Sequence, residues 1–292
     1  MIYKNKEEDK SLIYESFDNF YGLMEVLDGR QNNPVMENKH ASEESRSGSD
    51  SWAGTKTFQE ARDLFMYGDE KYYQILLEEM KKTNKKLSSF FSSIGNQSIP
   101  KVQVEGFVPH VPNALQNLPN AMITREIQSK KRKILKILYF DSANCGTEGE
   151  SLSKAGITLL NVINALERQG ISVALYLSFF SAHKGDEDTY AQLRLKNYEE
   201  RLNLKKISFP LANPAMFRRI GFKWLETVPN LTETGYSFGY GQAKPPEYFI
   251  DNYPNVFDTI NTYYTDAVTI EEQFKFDVEK IFDDIKERCM KI

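Results

Sequence analysis

Residues 134 to 179 constrain the fold more than any other stretch of this chain. Ile134-Leu-Lys-Ile-Leu-Tyr-Phe140 is a short, nearly continuous apolar run, the pattern of a buried strand. From Ala155 to Gln169 apolar residues fall at helical spacing: Ile157, Leu160, Ile163 and the pair Leu159 and Leu166 keep one stripe. Gly170 follows where a left-handed glycine ends a helix. Ile171-Ser-Val-Ala-Leu-Tyr-Leu-Ser-Phe179 is the next apolar run. Strand, helix, strand at this spacing predicts two parallel strands joined by a right-handed crossover.

The pattern continues downstream. Asp188 to Leu202 reads as a helix and Lys206 to Pro210 as a short third strand. Asn213-Pro214 supplies an N-cap and an N1 proline for a helix through Phe217 to Glu226. Alternating units of this kind predict an α/β fold over residues 130–292, an open, mostly parallel sheet with covering helices. Ile270 to Met290 closes the chain as an amphipathic helix, with Phe274, Val278, Ile281, Phe282 and Ile285 on the face that covers the sheet. Between lies Gly235-Tyr-Ser-Phe-Gly-Tyr-Gly241, whose tyrosine–glycine alternation fits a hairpin, a packed loop or an aromatic surface for a partner.

Residues 1–99 read as a mostly helical region. Tyr14, Phe17, Tyr21, Met24 and Leu27 recur at three- and four-residue steps, and Asp28-Gly29 ends that helix. Residues 31–51 are poor in apolar side chains and read as a polar linker. Thr57-Phe-Gln-Glu60 is a capping box opening a helix that turns Ala61, Leu64 and Phe65 inward and stops near Gly68. A second helix, Glu70 to Lys86, buries Tyr73, Leu76, Leu77 and Met80. Its basic end (Lys81, Lys82, Lys85, Lys86) suits the negative helix pole, which is favoured over a nucleic-acid patch. Four prolines between Pro100 and Asn120 make residues 100–129 an extended or looped connector. Lys130-Lys-Arg-Lys133 then leads into the first strand, as a solvated entrance or a contact for phosphate.

Composition narrows the function classes. A chain of 292 residues that is 13% aromatic has the rings to build a core, which argues against disorder. A net charge of −4 gives no global field to recruit nucleic acid or an anionic membrane. Two cysteines make no disulfide framework, and with three histidines they lack the usual zinc spacings. The first ten residues carry no secretory pattern, and no run approaches the ~18 apolar residues of a membrane span. A reducing, cytosolic setting is expected, with no membrane partner.

In an open parallel sheet, ligands bind beyond the carboxyl ends of the strands. The first such edge is Asp141-Ser-Ala-Asn144-Cys-Gly-Thr147, and the second adds His183, Asp186 and Asp188. A carboxylate ending a buried strand can hold Mg²⁺ or Mn²⁺. Asp141 and Asn144 can equally organise a tight loop through local bonds. Two family patterns meet at this loop. A von Willebrand factor A (vWA) domain carries Asp-x-Ser-x-Ser, whereas this chain has Asp141-x-Ala143-x-Cys145 and lacks both hydroxyls. The Asp-x-x-Asn of NYN/PIN-type ribonucleases is matched by Asp141 to Asn144. That resemblance implies a metal-dependent nuclease in which Asp141, Asn144, Asp186 and Asp188 serve a catalytic ion. There is no GxGxxG or P-loop pattern. Arg218 and Arg219 offer either an anion site or partners for neighbouring carboxylates.

Four segments in order resemble an uncharacterised protein family of tailed bacteriophages and prophages. They are Trp52-Ala-Gly-Thr-Lys-Thr-Phe-Gln-Glu-Ala61 with Gly68; Gly106, Pro109, Val111, Pro112, Leu115, Pro119 and Met122; Ala155 to Gly170; and Asn213-Pro-Ala-Met-Phe-Arg-Arg-Ile-Gly-Phe-Lys-Trp-Leu-Glu226. The resemblance implies a phage-derived cytosolic protein with a vWA-like or Rossmann-like C-terminal domain, and implies no activity. The expectation is therefore a non-enzymatic interaction scaffold in the infected bacterial cell, serving host takeover, counter-defence or assembly. It needs no cofactor, it binds a host or phage protein, and nucleic acid and self-association stay open. Its binding candidates are Tyr236, Phe238, Tyr240, Arg218 and Arg219.

Overall fold

The computed structural model describes residues 1–4, 10–37, 41–43, 50–91, 99–106, 108–126, 133–185, 187–232, 240–257 and 262–289. They form two compact units, one of Met1–Lys85 with Ile134–Ile292, the other Lys86–Lys133. The strands among the described residues are β1 (Ile2–Lys4), β2 (Ser11–Phe17), β3 (Ile99–Gln103), β4 (Val108–Pro109), β5 (Met122–Glu126), β6 (Ile134–Phe140), β7 (Ser172–Ser181), β8 (Glu187–Lys196) and β9 (Thr262–Asp266). The helices are α1 (Phe20–Gly29), α2 (Asp50–Ala53), α3 (Phe58–Tyr67), α4 (Glu70–Phe91), α5 (Val111–Leu115), α6 (Gly149–Arg168), α7 (Leu204–Ala212), α8 (Phe222–Thr227), α9 (Pro246–Asn252), α10 (Ala267–Glu272) and α11 (Val278–Cys289). A π-helical turn, Met216–Gly221, runs directly into α8.

The larger unit is built on a six-stranded sheet in the order β1-β2-β8-β7-β6-β9. The pairs β2/β8, β7/β6 and β6/β9 are parallel, and β1/β2 and β8/β7 antiparallel. The α/β class is as the sequence predicts, and β6, α6 and β7 stand within a few residues of their expected places. One face of the sheet carries Leu12, Leu138, Phe140, Phe180 and Tyr190, and packs on Phe249 of α9, on Tyr253 just after it and on Phe257. The other face presents Phe179, whose ring lies 6.3 Å from that of Phe217 and 6.4 Å from that of Trp224. Helix α6 approaches α7 so closely that a Cβ at Gly156 would lie 1.7 Å from the Leu211 carbonyl oxygen. Only a glycine permits that contact.

The structure corrects four expectations of secondary structure. Residues 11–17, expected within a helix, form β2, which pairs in parallel with β8 from Ser11↔Glu187 to Phe17↔Leu193. The expected helix at 188–202 is β8, the antiparallel neighbour of β7. The expected strand at 206–210 is α7, which holds Pro210 within it. The closing helix is two, α10 and α11, preceded by the unanticipated strand β9. The N-terminal segment is thus part of the same sheet as the C-terminal α/β segment.

Other local signals hold. Thr57 Oγ1 accepts from Glu60 N at 3.1 Å, and the Glu60 carboxylate reaches back to Lys56 N at 2.9 Å. Gly170 takes φ +81° after α6. Asn213 Oδ1 accepts from Ala215 N at 2.9 Å, capping the segment that becomes the π-helical turn. Lys81 to Lys86 lie inside α4 and not at its end, so a charge–dipole match does not account for them. The Lys130–Arg132 part of the basic run lies outside the described residues, and Lys133 is exposed.

The smaller unit contains a three-stranded antiparallel sheet, β3-β5-β4, with α5 between β4 and β5. The proline-rich stretch, expected as an extended or looped connector, is extended only at β3 and β4; Val111–Leu115, with Pro112 in its first turn, is helical.

Candidate functional site

Asp141 leaves the carboxyl end of β6, its N–H donating to Ser178 O at 3.0 Å across the parallel pair. Its side chain is buried, and Oδ2 has no hydrogen-bond partner among the described residues. Burial pushes the carboxyl well above the usual carboxylate range, an effect the Arg218 guanidinium only partly offsets. On the same face of the sheet, Tyr139 Oη and Thr265 Oγ1 are also buried without partners among the described residues, in aligned positions of β6 and β9. Three unpaired polar atoms at one strand edge are uncommon, since buried polar groups are normally bonded. Asn144 is exposed and uses its carbonyl to close a turn on Thr147 N at 3.0 Å, while Ser142 Oγ accepts from Phe180 N at 2.8 Å.

Asp188 lies elsewhere. Phe140 and Tyr190 share the α9 face, their rings 6.2 Å apart. Side chains alternate along a strand, so Asp188 projects to that face and Asp141 to the opposite one. The sheet therefore separates the two carboxylates instead of bringing them together. Asp188 is fully buried and accepts from four donors: Tyr248 Oη at 2.9 Å, Tyr253 Oη at 3.0 Å, His183 N at 3.2 Å and Lys10 Nζ at 3.3 Å. His183 is buried beside it, with Nε2 3.0 Å from Thr189 Oγ1. Burial lowers its imidazole to about 4, with Asp188 opposing and Lys10 assisting. Asp186 lies outside the described residues. Among those described, no three His, Cys, Asp or Glu side chains gather as a metal site.

The two arginines of the π-helical turn are both buried and bind backbone carbonyls. Arg218 donates to Trp52 O and Thr147 O, each at 2.5 Å, and its guanidinium stacks 4.4 Å above the Trp52 ring. Burial lowers its pKa to about 10, against the opposing pull of Asp141. Arg219 donates to Thr55 O and Lys56 O at 2.9 Å and to Ala41 O and Ser42 O at 3.3 Å. Both therefore bind the chain's own backbone.

Tyr240 is buried too. It stacks on Phe222 at 4.5 Å, donates to Glu226 Oε1 at 2.6 Å and accepts from Ala41 N at 2.9 Å. The aromatic surface expected here is, at this residue, part of the core; Tyr236 and Phe238 lie outside the described residues. Glu226, which sequence reasoning did not single out, is the centre of this network: Ser42 Oγ donates to its Oε2 at 2.5 Å. Its partners are 14 and 184 residues distant, so no local pattern reveals it.

The smaller unit presents another kind of surface. Val104, Val108, Val111, Leu115 and Leu118 are all exposed there, Leu115 at 80%. Helix α5 buries none of its residues.

The chain matches the family model of a domain of unknown function, DUF7192, over residues 5–286. It belongs to that family. The match spans nearly the whole of both units and places the chain in an uncharacterised family. No curated protein and no solved structure matches the chain.

Proposed function

We propose that this DUF7192 protein is a phage-encoded, non-enzymatic interaction scaffold working in the cytoplasm of the infected bacterium. The observation that carries this reading is the exposed aliphatic group of the smaller unit, Val104, Val108, Val111, Leu115 and Leu118. Large aliphatic side chains held in solvent mark a contact surface for a protein that presents an apolar face of its own. The scaffold role is supported further by the polar residues of the larger unit. Asp188, Arg218, Arg219 and Tyr240 are used in internal bonds that hold the fold.

The test is co-purification of the full chain from infected cells, beside the double variant Val111→Glu, Leu115→Glu. The reading expects a defined partner that the variant loses while its melting temperature and circular dichroism are unchanged. A partner retained by the variant overturns the assignment of this surface. Self-association is read in the same preparations by light scattering.

A second reading, a Mg²⁺- or Mn²⁺-dependent NYN/PIN-like nuclease, is favoured by the unpaired Asp141 Oδ2 at a strand's carboxyl end. Calorimetry with both ions on wild type and Asp141→Ala, with RNA and single-stranded DNA cleavage in the same samples, separates the two. Binding and cleavage that vanish together in the variant establish the nuclease.

A further inference from the structure

Beyond the scaffold reading and independent of it, the larger unit contains a cavity of about 290 Å³ at the carboxyl ends of the parallel pair β2/β8. For this parallel pair it is the carboxyl edge, the side on which parallel strands receive ligands, and it lies opposite the carboxyl edge of β6, β7 and β9. Its volume is at the lower end of the ~300–1,000 Å³ typical of small-molecule sites.

The lining is cationic. Arg194, Lys196, Arg201 and Lys206 line it together with Asp18 and Glu200. Lys196 is already neutralised: it is 1% exposed, lies 2.5 Å from Glu167 and donates to Val173 O at 2.8 Å. Asp18 holds Arg194 at 3.3 Å, and Glu200 is engaged with Asn197 N at 3.0 Å. Arg201 is exposed and makes no ion pair among the described residues. Lys206 rests 4.5 Å from the Phe20 ring.

Setting Lys196 against Glu167, three cations oppose two acids. The cavity wall also includes Asn19 and Asn203, the N-caps of α1 and α7. Neither helix has an acid in its first turn, and each helix pole adds about half a positive charge. The sum is close to +2, which matches a phosphate monoester dianion. Phe20, Leu195 and Ile207 give the cavity an apolar side.

We propose that this crevice binds a small phosphorylated molecule, its phosphate held by Arg194, Arg201 and Lys206 and an apolar group set against Phe20. Arginine suits this role because its planar fork pairs bidentately with phosphate oxygens.

The experiment is calorimetry on the full chain with inorganic phosphate, pyrophosphate, adenosine monophosphate and citrate, each up to about 1 mM, the weak end of useful affinities. Arg194→Gln and Arg201→Gln are compared with Lys82→Gln, an exposed lysine of α4 away from the cavity. Saturable binding of a phosphate probe, weakened about tenfold or more by either arginine substitution and unchanged in Lys82→Gln, is the expected result. Circular dichroism confirms that the variants fold. The proposal is overturned by no saturable binding, by binding indifferent to both arginines, or by citrate binding as tightly as any phosphate. Binding by a single-stranded oligonucleotide but not by the small probes also overturns it, assigning the cations to a nucleic-acid backbone instead.

Discussion

Trp224 donates its indole N–H to Glu15 Oε2 at 2.7 Å, tying α8 to β2 across 209 residues of sequence. The same carboxylate accepts both Arg30 guanidinium nitrogens, at 2.8 and 2.7 Å. Burial alone raises the Glu15 pKa, but the Arg30 and Trp224 bonds outweigh it and hold the group below its usual 4.5. A carboxylate depressed in the folded state contributes stability that is fully present above the unfolded pKa. That stability is lost as pH falls through the folded value.

Glu15→Gln is therefore expected to cost about 2 kcal/mol at pH 7, the scale of a charge-assisted hydrogen bond. The difference from wild type should shrink once pH falls below about 4.5. Urea denaturation of both proteins from pH 3 to 8 measures it. A constant difference across that range would show that the loss is one of packing.

His183 gives a second, separate window. Its imidazole stays neutral in the fold down to about 4, whereas the unfolded chain takes up a proton near the usual 6.5. The unfolded state then binds more protons between those values, so stability falls as pH drops from 6.5 to 4 and is level below. The full effect is on the order of 3 kcal/mol. Nuclear magnetic resonance of the His183 ring should show no titration above about pH 5, and His183→Gln should flatten the 4–6.5 part of the stability profile.

Arg219→Lys should destabilise the larger unit by about 2–3 kcal/mol. An ammonium cannot span the four carbonyls of Ala41, Ser42, Thr55 and Lys56, and buried acceptors left unpaired are costly. Amide exchange at Ala41 and Ser42 should accelerate in the variant.

Gly156→Ala tests the α6–α7 contact. A methyl group there meets backbone, not a movable side chain, so a cost of about 3 kcal/mol is expected, exceeding the small gain in helix propensity. Gly146→Ala is the control, since nothing lies within 4 Å of its added Cβ. It should change the melting temperature by less than about 1 °C.

Much of the local structure was legible because it is written in short-range chemistry. The apolar run of β6, the stripe of α6, the cap at Thr57 and the glycine at 170 each act within a few residues, so sequence neighbours suffice to read them. The misread elements share a different cause. Strand β8 carries Asp188 and Lys196, both buried, and β2 carries Glu15, so their charges imitate solvated helix faces. Those charges are tolerable inside only because distant tyrosines, carbonyls and an arginine satisfy them. Likewise Pro210 argues against a helix interior, yet α7 accommodates it in a short helix.

The candidate site divides the same way. That Asp141 ends a buried strand follows from the apolar run before it, a property of seven adjacent residues. That Asp188 faces away from it depends on β8 being antiparallel to β7 and on the alternation of side chains, which no local window encodes. The α/β class, the β6–α6–β7 unit and the helix caps follow from patterns among neighbouring residues. Tertiary structure alone decided the strand order, the burial of the two arginines on the chain's own carbonyls, and the meeting of α1 and α7 at one cationic cavity. These depend on pairings such as Ser11 with Glu187, whose energy exists only once residues far apart in the chain have come together.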